Sequence, residues 1–254
     1  MKMKARTCPY IILLSGTPGT GKSTISKYLS KQNGWVTFSL GDFIVEKKIF
    51  SSETDNRDAK IINTEIAAKE GAREIITHFI TNEVIVVDSH YADIIMDGFS
   101  ELVENLDHEC VKKYASGENI IGIVCRCHPN ILQDRLAKRN YSNSKISENV
   151  QAEILSESTQ SLIDVLQKEK VIEIDTTSHS VDEISNSIID NFLHIIVGQN
   201  SSNELLKNVG KIDWIVTLNE EGTLNSFFQE DHGEKFEIDL KDIEKDDSQG
   251  DRET

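Results

Sequence analysis

Residues Gly16-Thr17-Pro18-Gly19-Thr20-Gly21-Lys22-Ser23 fit the pattern G-x-x-x-x-G-K-[ST], and Thr24 follows. This motif demands a strand before it and a helix after it, and both are legible. Ile11-Ile12-Leu13-Leu14 is a short apolar run that reads as a buried strand, and Ile25, Tyr28 and Leu29 then recur at helical spacing. Gly16, Gly19 and Gly21 let the backbone curl so that its N–H groups converge on phosphate oxygens. The positive end of the following helix adds to that field. In such a loop Lys22 reaches the β- and γ-phosphates and the Ser23 hydroxyl ligates Mg²⁺. Gly19, Gly21, Lys22, Ser23 and Thr24 are therefore the expected ATP contacts. A glycine-rich turn with a chance lysine is the bland alternative, and the strand–loop–helix context argues against it.

Charge narrows the partners. The 254-residue chain has a formal net charge of −16, which argues against broad, non-specific nucleic-acid binding. Cys125 and Cys127 share one face of an apolar segment beside His128, but no second ligand pair at zinc spacing exists, so both read as buried thiols. The basic start Met1-Lys2-Met3-Lys4-Ala5-Arg6 is followed by an apolar run too short for a signal peptide. No stretch is long enough to span a membrane. The expectation is an intracellular, soluble protein.

Strand-like runs alternate with helix-like ones. Strands are expected at Trp35–Leu40, Val84–Val87, Ile120–Arg126 and Val171–Ile174, after the first at Ile11–Leu14. Helices are expected at Phe43–Phe50, Asp58–Ile80, one or two within Ile94–Tyr114, one opened by His128-Pro129, one N-capped by Ser147 after a loop at Asn140–Lys145, and one at Val181–Val197. This alternation, with the glycine loop after the first strand, specifies an α/β fold with a doubly wound P-loop core: a five-stranded parallel sheet with helices on both faces. One domain over residues 1–197 is expected. Residues 198–228 read as a linker and a possible hairpin pairing Trp214–Leu218 with Thr223–Phe228. Residues 229–254 hold 11 acidic and 4 basic side chains, an acidic tail expected to be disordered.

Ligands of such sheets gather at the carboxyl ends of the strands. Asp88 ends the Val84–Val87 run, which is the arrangement of a carboxylate holding Mg²⁺ directly or through water. His90 lies two residues on and could orient a water or an acceptor. Arg135 and Arg139, spaced i, i+4, share a helix face and suit nucleotide phosphates or stacking on adenine; a solvated basic face with Lys138 is the alternative. Asp42 and Glu46 follow the second strand, where small P-loop kinases hold their acceptor.

The P-loop with Gly41-Asp42, Asp88-Ser89-His90, Arg135-Leu136-Ala137-Lys138-Arg139-Asn140-Tyr141 and Asn149-Val150-Gln151-Ala152-Glu153-Ile154 resembles the adenylate kinase isoenzyme 6 family. Arg126-Cys127-His128-Pro129 resembles its archaeal branch. The likeness spans residues 8–197, with Lys211-Ile212-Asp213-Trp214 as a last trace. It implies a P-loop NTPase fold of the nucleoside monophosphate kinase-like kind, with a mobile acceptor segment, residues 39–62, and a short lid, residues 138–148. It also implies adenylate kinase activity with side ATPase activity, and late maturation of the small ribosomal subunit through transient binding of a small-subunit ribosomal protein. The location implied is cytoplasmic for an archaeal-type protein and nuclear for a eukaryotic one. On this chain Lys22, Asp88, His90 and Arg139 would be catalytic, Ser23 and Asp88 would hold the metal, and Asp42, Arg57, His90 and Arg126 would bind the acceptor. Two positions that carry arginine in ordinary adenylate kinases are Val45 and Ala92 here, so Arg57, Arg126 and Arg139 are the candidates to compensate. The segment Asp93–Asn119 is longer than in the family. Two rivals remain: a nucleotide-switched assembly factor with incidental kinase activity, and a small-metabolite kinase of the shikimate type.

Overall fold

The computed structural model describes residues 8–54, 60–79, 82–197 and 206–228. Strand β1 (Tyr10–Ser15) leads through the glycine loop into α1 (Lys22–Asn33), which Gly34 stops in a left-handed conformation. Next come β2 (Val36–Ser39) and α2 (Leu40–Lys47), where the Ser39 side chain caps the helix by accepting the Asp42 N–H. β3 (Phe50–Thr54) and β4 (Lys60–Ile62) form a separate antiparallel pair. α3 (Thr64–Glu74), capped by Asn63, runs into a π-helical turn at Ile75–Phe79. The chain continues through β5 (Val84–Asp88), α4 (Ile94–Asn105), α5 (Glu109–Ala115) and β6 (Ile120–Arg126). Then follow α6 (Pro129–Lys138), α7 (Asn143–Ile154), α8 (Glu157–Val165), β7 (Val171–Asp175), α9 (Val181–Val197), β8 (Leu206–Asn208) and α10 (Trp214–Glu220).

The main sheet has the order β2-β5-β1-β6-β7-β8, and the first five strands are parallel, as the alternation required. β8 adds an antiparallel edge strand that the sequence did not suggest. Because side chains alternate along a strand, β1 feeds two cores. Ile11 and Leu13 enter one with Val87, Ile75, Ile95 and Phe99, and Ile12 and Leu14 enter the other with Ile25, Leu29, Ile184 and Ile188. A third cluster, Leu132, Leu136, Ile146, Val150, Ile154 and Leu218, joins α6, α7 and α10. Register places Asp88 level with Leu14 and Ser39, so the ends of β5, β1 and β2 form one rim.

Several expectations are corrected. The helix expected from Asp58 begins only after Asn63, and Ile66 is 47% exposed. Its inner face is instead Ala67, Ala68, Gly71 and Ala72, because α3 meets α4 nearly backbone to backbone: a Cβ on Gly98 would lie 2.0 Å from the Ala68 carbonyl oxygen. The helix expected at Phe43–Phe50 starts at Leu40, and Phe50 opens β3. Ser142, not Ser147, caps α7, so the loop before it is shorter than expected. The possible hairpin at 214–228 is helical: Asp213 caps α10, Trp214 and Leu218 turn inward at i, i+4, and Leu224–Phe227 forms a 3₁₀ turn. The long segment after Asp93 is the α4–α5 pair. It is tied to the start of β1 by a Cys8–Cys110 disulfide and by the Tyr114 hydroxyl, which donates to the Pro9 carbonyl at 2.9 Å. Among the described residues, no helix is long and apolar enough to cross a membrane. Arg57, most of the linker and the acidic tail at 229–254 lie outside the described residues.

Candidate functional site

The glycine loop sits at the carboxyl end of β1 with the backbone that the motif requires. Gly16 has φ 138° and Gly19 φ 91°, and there is also no room for a side chain. A Cβ on Gly16 would come within 2.4 Å of the Cys125 carbonyl oxygen, and one on Gly19 within 2.9 Å of Leu132. Thr17 is held from outside, its hydroxyl donating to Glu153 Oε2 at 2.7 Å. Thr20 donates to the Thr17 carbonyl at 2.8 Å, and Thr176 donates to the Thr20 carbonyl at 2.8 Å.

Lys22 opens α1 and is buried. Its Nζ donates to the carbonyls of Gly16 at 2.6 Å and Thr17 at 3.1 Å, so the ammonium lies across the mouth of the loop. Burial pushes its pKa below the ordinary lysine value; Asp88 and Glu153 oppose that shift, and Arg139 adds to it. Ser23 and Thr24 are exposed in the first turn of α1.

Asp88 ends β5, buried, and accepts from the Ser26 hydroxyl at 3.1 Å. The same hydroxyl lies 3.2 Å from the Ser23 carbonyl, so Ser26 sets the carboxylate against the first turn of α1. Nothing in the motif singled out Ser26; the available signal was a serine one turn past Ser23 on the inner face of α1. Hydroxyl and carboxylate oxygens are hard donors, and Mg²⁺ completes its shell with waters and phosphate oxygens. Ser23 and Asp88 therefore fit a Mg²⁺ that arrives with a nucleotide.

His90 Nδ1 lies 3.1 Å from the Gly16 carbonyl. A carbonyl only accepts, so Nδ1 carries the hydrogen and Nε2 keeps its lone pair. Burial, then the Lys22 charge, lowers its pKa below 6.5. The imidazole is thus neutral at pH 7 and stays so as the pH drops through 6.5. The unfolded chain takes up its proton first, so this residue's contribution to stability declines from pH 6.5 down to the folded-state pKa. ATP turnover is expected to show an acidic limb with its inflection below pH 6.5, and His90→Asn, which keeps a donor for Gly16, is expected to abolish that limb. An unchanged limb in the variant's pH profile would show that His90 does not control it.

The two arginines of α6 do not act alike. Arg135 Nη2 donates to the carbonyls of Thr176 at 2.8 Å and Thr177 at 3.0 Å, fastening the loop after β7 to α6. Arg139 is the exposed C-cap of α6, near enough for its charge to be felt at Lys22. Asp42 is exposed in the first turn of α2, just past the rim that Asp88 and Ser39 share. Cys125 and Cys127 are buried unpaired thiols, with burial pushing each pKa up to about 12. His128 turns to Glu221 at 3.2 Å.

Arg126, expected at the acceptor, is engaged inside the protein. It is fully buried, with Nε donating to Glu153 Oε1 at 2.7 Å and Nη1 to Glu173. Nη2 donates to the Glu153 carbonyl at 2.9 Å and to Ser156 at 3.0 Å. The second Nη1 hydrogen faces Thr159 Oγ1 at 3.4 Å, so all five donors have partners within the protein. Burial alone would lower its pKa, but the two carboxylates outweigh that and raise it. Where ordinary adenylate kinases have further arginines, Ala92 is buried and Val45 is exposed. The sequence reading missed Glu153 and Glu173 as partners. Their signal was a carboxylate amid the apolar residues of α7 and another amid those of β7.

Comparison with known proteins follows the same lines. A family model described as AAA domain matches residues 12–156. Over 211 residues the chain is 34% identical to a protein named "Putative adenylate kinase" from Methanosarcina barkeri, covering 81% of this chain and 97% of that one. A protein of the same name from Methanocaldococcus jannaschii is 32% identical over 186 residues, covering 72% and 86%. A solved shikimate kinase from Bacteroides thetaiotaomicron, 14% identical with a TM-score of 0.46, covers 73% of this chain and 98% of its own, too distant a likeness to weigh.

Proposed function

The chain belongs to the family of these archaeal adenylate kinase relatives, and from that premise we propose that it is a nucleoside monophosphate kinase moving the ATP γ-phosphoryl group to AMP, with ATP hydrolysis as a side reaction. The observation that carries the reading is the convergence of Lys22, Asp88 and His90 on one loop mouth. Lys22 now bridges two carbonyls and can exchange them for β- and γ-phosphate oxygens without leaving the loop. Mg²⁺, when bound through Ser23 and Asp88, neutralises charge on the phosphates. His90 Nε2 can accept a proton or hold a water beside the transferring group. Arg139, at the start of the proposed lid, would add a cation as residues 138–148 close, excluding water and favouring transfer over hydrolysis.

The acceptor side is lightly armed, with Arg126 engaged elsewhere and alanine and valine in place of arginines. Slow transfer and appreciable hydrolysis follow from that. The same observation favours a second reading, a nucleotide-driven factor in late small-subunit maturation whose ATP cycle switches affinity for a ribosomal protein. The net charge of −16 suits such a basic partner. Either role would be played in the cytoplasm of an archaeal-type cell.

Turnover of Mg-ATP by the purified chain, resolving ADP from phosphate with and without AMP, separates the two readings. ADP formed with AMP in excess of released phosphate is the result expected. Phosphate release at the same rate regardless of AMP would overturn kinase action and leave the switch.

A further inference from the structure

The Glu153 carboxylate is 1% exposed and sits where three parts of the chain meet. Its Oε2 takes the hydroxyl of Thr17, inside the phosphate loop. Its Oε1 takes Arg126 Nε at 2.7 Å, the Cys127 N–H at 3.1 Å and the Trp214 indole N–H at 2.9 Å. A carboxylate has about four good acceptor sites; three donors crowd Oε1 and one holds Oε2. The neighbouring Glu173 takes Arg126, Thr159 and the Gly210 N–H at 3.0 Å. One guanidinium thus faces two buried carboxylates, and the remaining negative charge is met by neutral donors. Two of these donors, Gly210 N–H and Trp214 Nε1, come from the segment after α9.

The same segment also reaches the loop through apolar contact. Leu218 of α10 packs in the cluster with Leu132 and Leu136. Those two leucines are the side chains that Gly19 abuts, its absent Cβ being 2.9 Å from the first and 3.1 Å from the second. Gln151 of α7 donates to the Phe227 carbonyl at 2.7 Å, which fastens the far end of the segment to the helix that carries Glu153.

We propose that Trp214 and Glu153 are positioning residues for the phosphate-binding loop, and that residues 209–228 form a strap whose docking sets nucleotide affinity. Thr17 is the point of contact. Its carbonyl accepts from Lys22 and Thr20, and its hydroxyl is held by Glu153. Loss of the indole N–H takes from a buried charge one of the donors that fix its position, a bond of the stronger, charge-assisted kind. The carboxylate then re-centres on Arg126 and Cys127, and Thr17 and the carbonyls holding Lys22 shift with it. Linkage makes the coupling reciprocal: a docked strap tightens nucleotide binding, and bound nucleotide tightens the strap.

The inference rests on the reading that the loop binds Mg-nucleotide, and the test separates the two. Calorimetric titration with Mg-ADP is run on the full chain and on Trp214→Phe, Thr17→Val and the double variant, at a temperature where circular dichroism shows each folded. Trp214→Phe keeps the aromatic packing and is expected to weaken binding about tenfold, the loss of one bond to a charged group. The double variant is expected to fall no further than roughly the worse single one, because both act through Glu153. Binding by folded Trp214→Phe within about twofold of the unaltered chain, or single effects that add in full, would overturn the proposal. Failure of the unaltered chain to bind Mg-ADP would instead remove the nucleotide reading itself. An arm that does not depend on folding of those variants uses Trp35→Phe, which leaves Trp214 the sole one of two tryptophans. Saturating Mg-ADP is expected to change Trp214 emission, and an unchanged spectrum counts against the coupling.

Discussion

Lys22→Met is expected to cut ATP turnover by about a thousandfold or more while leaving the folded chain as stable as before or more so. The two halves have one cause. Lys22 is buried, its ammonium met only by the Gly16 and Thr17 carbonyls among its hydrogen bonds, and burial already pushes its pKa down. Asp88 and Glu153 act on that charge from nearby without a direct ion pair. A lone buried charge is a cost to the fold, and methionine fills similar volume without it. On the proposed reading the charge serves the phosphates, because in a water-poor cradle a cation aimed at developing charge acts far more strongly than in water. Turnover by product-resolved assay and the thermal midpoint by scanning calorimetry are the measurements. Turnover within about tenfold of the unaltered chain would mean that the chemistry does not use this loop. A drop in midpoint with activity retained would make Lys22 a structural residue.

How far the sequence could be read depends on how local each signal is. The phosphate loop was legible because strand, glycines and helix are contiguous and each glycine answers a local need, the positive φ of 138°, 91° and 98° at Gly16, Gly19 and Gly21. β5 was legible because an unbroken β-branched run has few alternatives, and Asp88 followed at its end. The inner face of α3 was not legible, because small residues at 67, 68, 71 and 72 look like weak patterning until α4 is brought against them. α10 read as a strand because Trp214-Ile215-Val216-Thr217-Leu218 is rich in strand-favouring residues; burial of Trp214 and Leu218 against α7 and the Asp213 cap override that preference. Arg126 misled for a related reason. It stands at the rim where ligands gather, but its two partners come from α7 and β7, distant in the chain and carrying carboxylates that one-dimensional patterning treats as surface.

That reassignment carries the second large effect. Arg126→Met is expected to destabilise the chain by about 3–5 kcal/mol, the usual cost of removing one partner from a buried ion pair. Glu153 and Glu173 are each 1% exposed, and without the guanidinium both would hold their charge against neutral donors alone. Adding Glu153→Gln and Glu173→Gln is expected to recover much of the stability, because the penalty belongs to the stranded carboxylates and not to lost packing. Equilibrium unfolding in urea across this series measures each step. An acceptor-binding arginine behaves in the opposite way: its loss raises the AMP KM, leaves the unfolding midpoint in place and gains nothing from the two glutamine changes. If that pattern were found, the triad would be a resting arrangement that opens for the acceptor. If the midpoint falls and the AMP KM holds, neutralisation of the transferring phosphate would be left to Lys22, a Mg²⁺ that Ser23 and Asp88 would hold, and Arg139 on the proposed lid. The cations would then gather around the ATP phosphates, with few at the acceptor, which is the asymmetry that lets water compete with AMP.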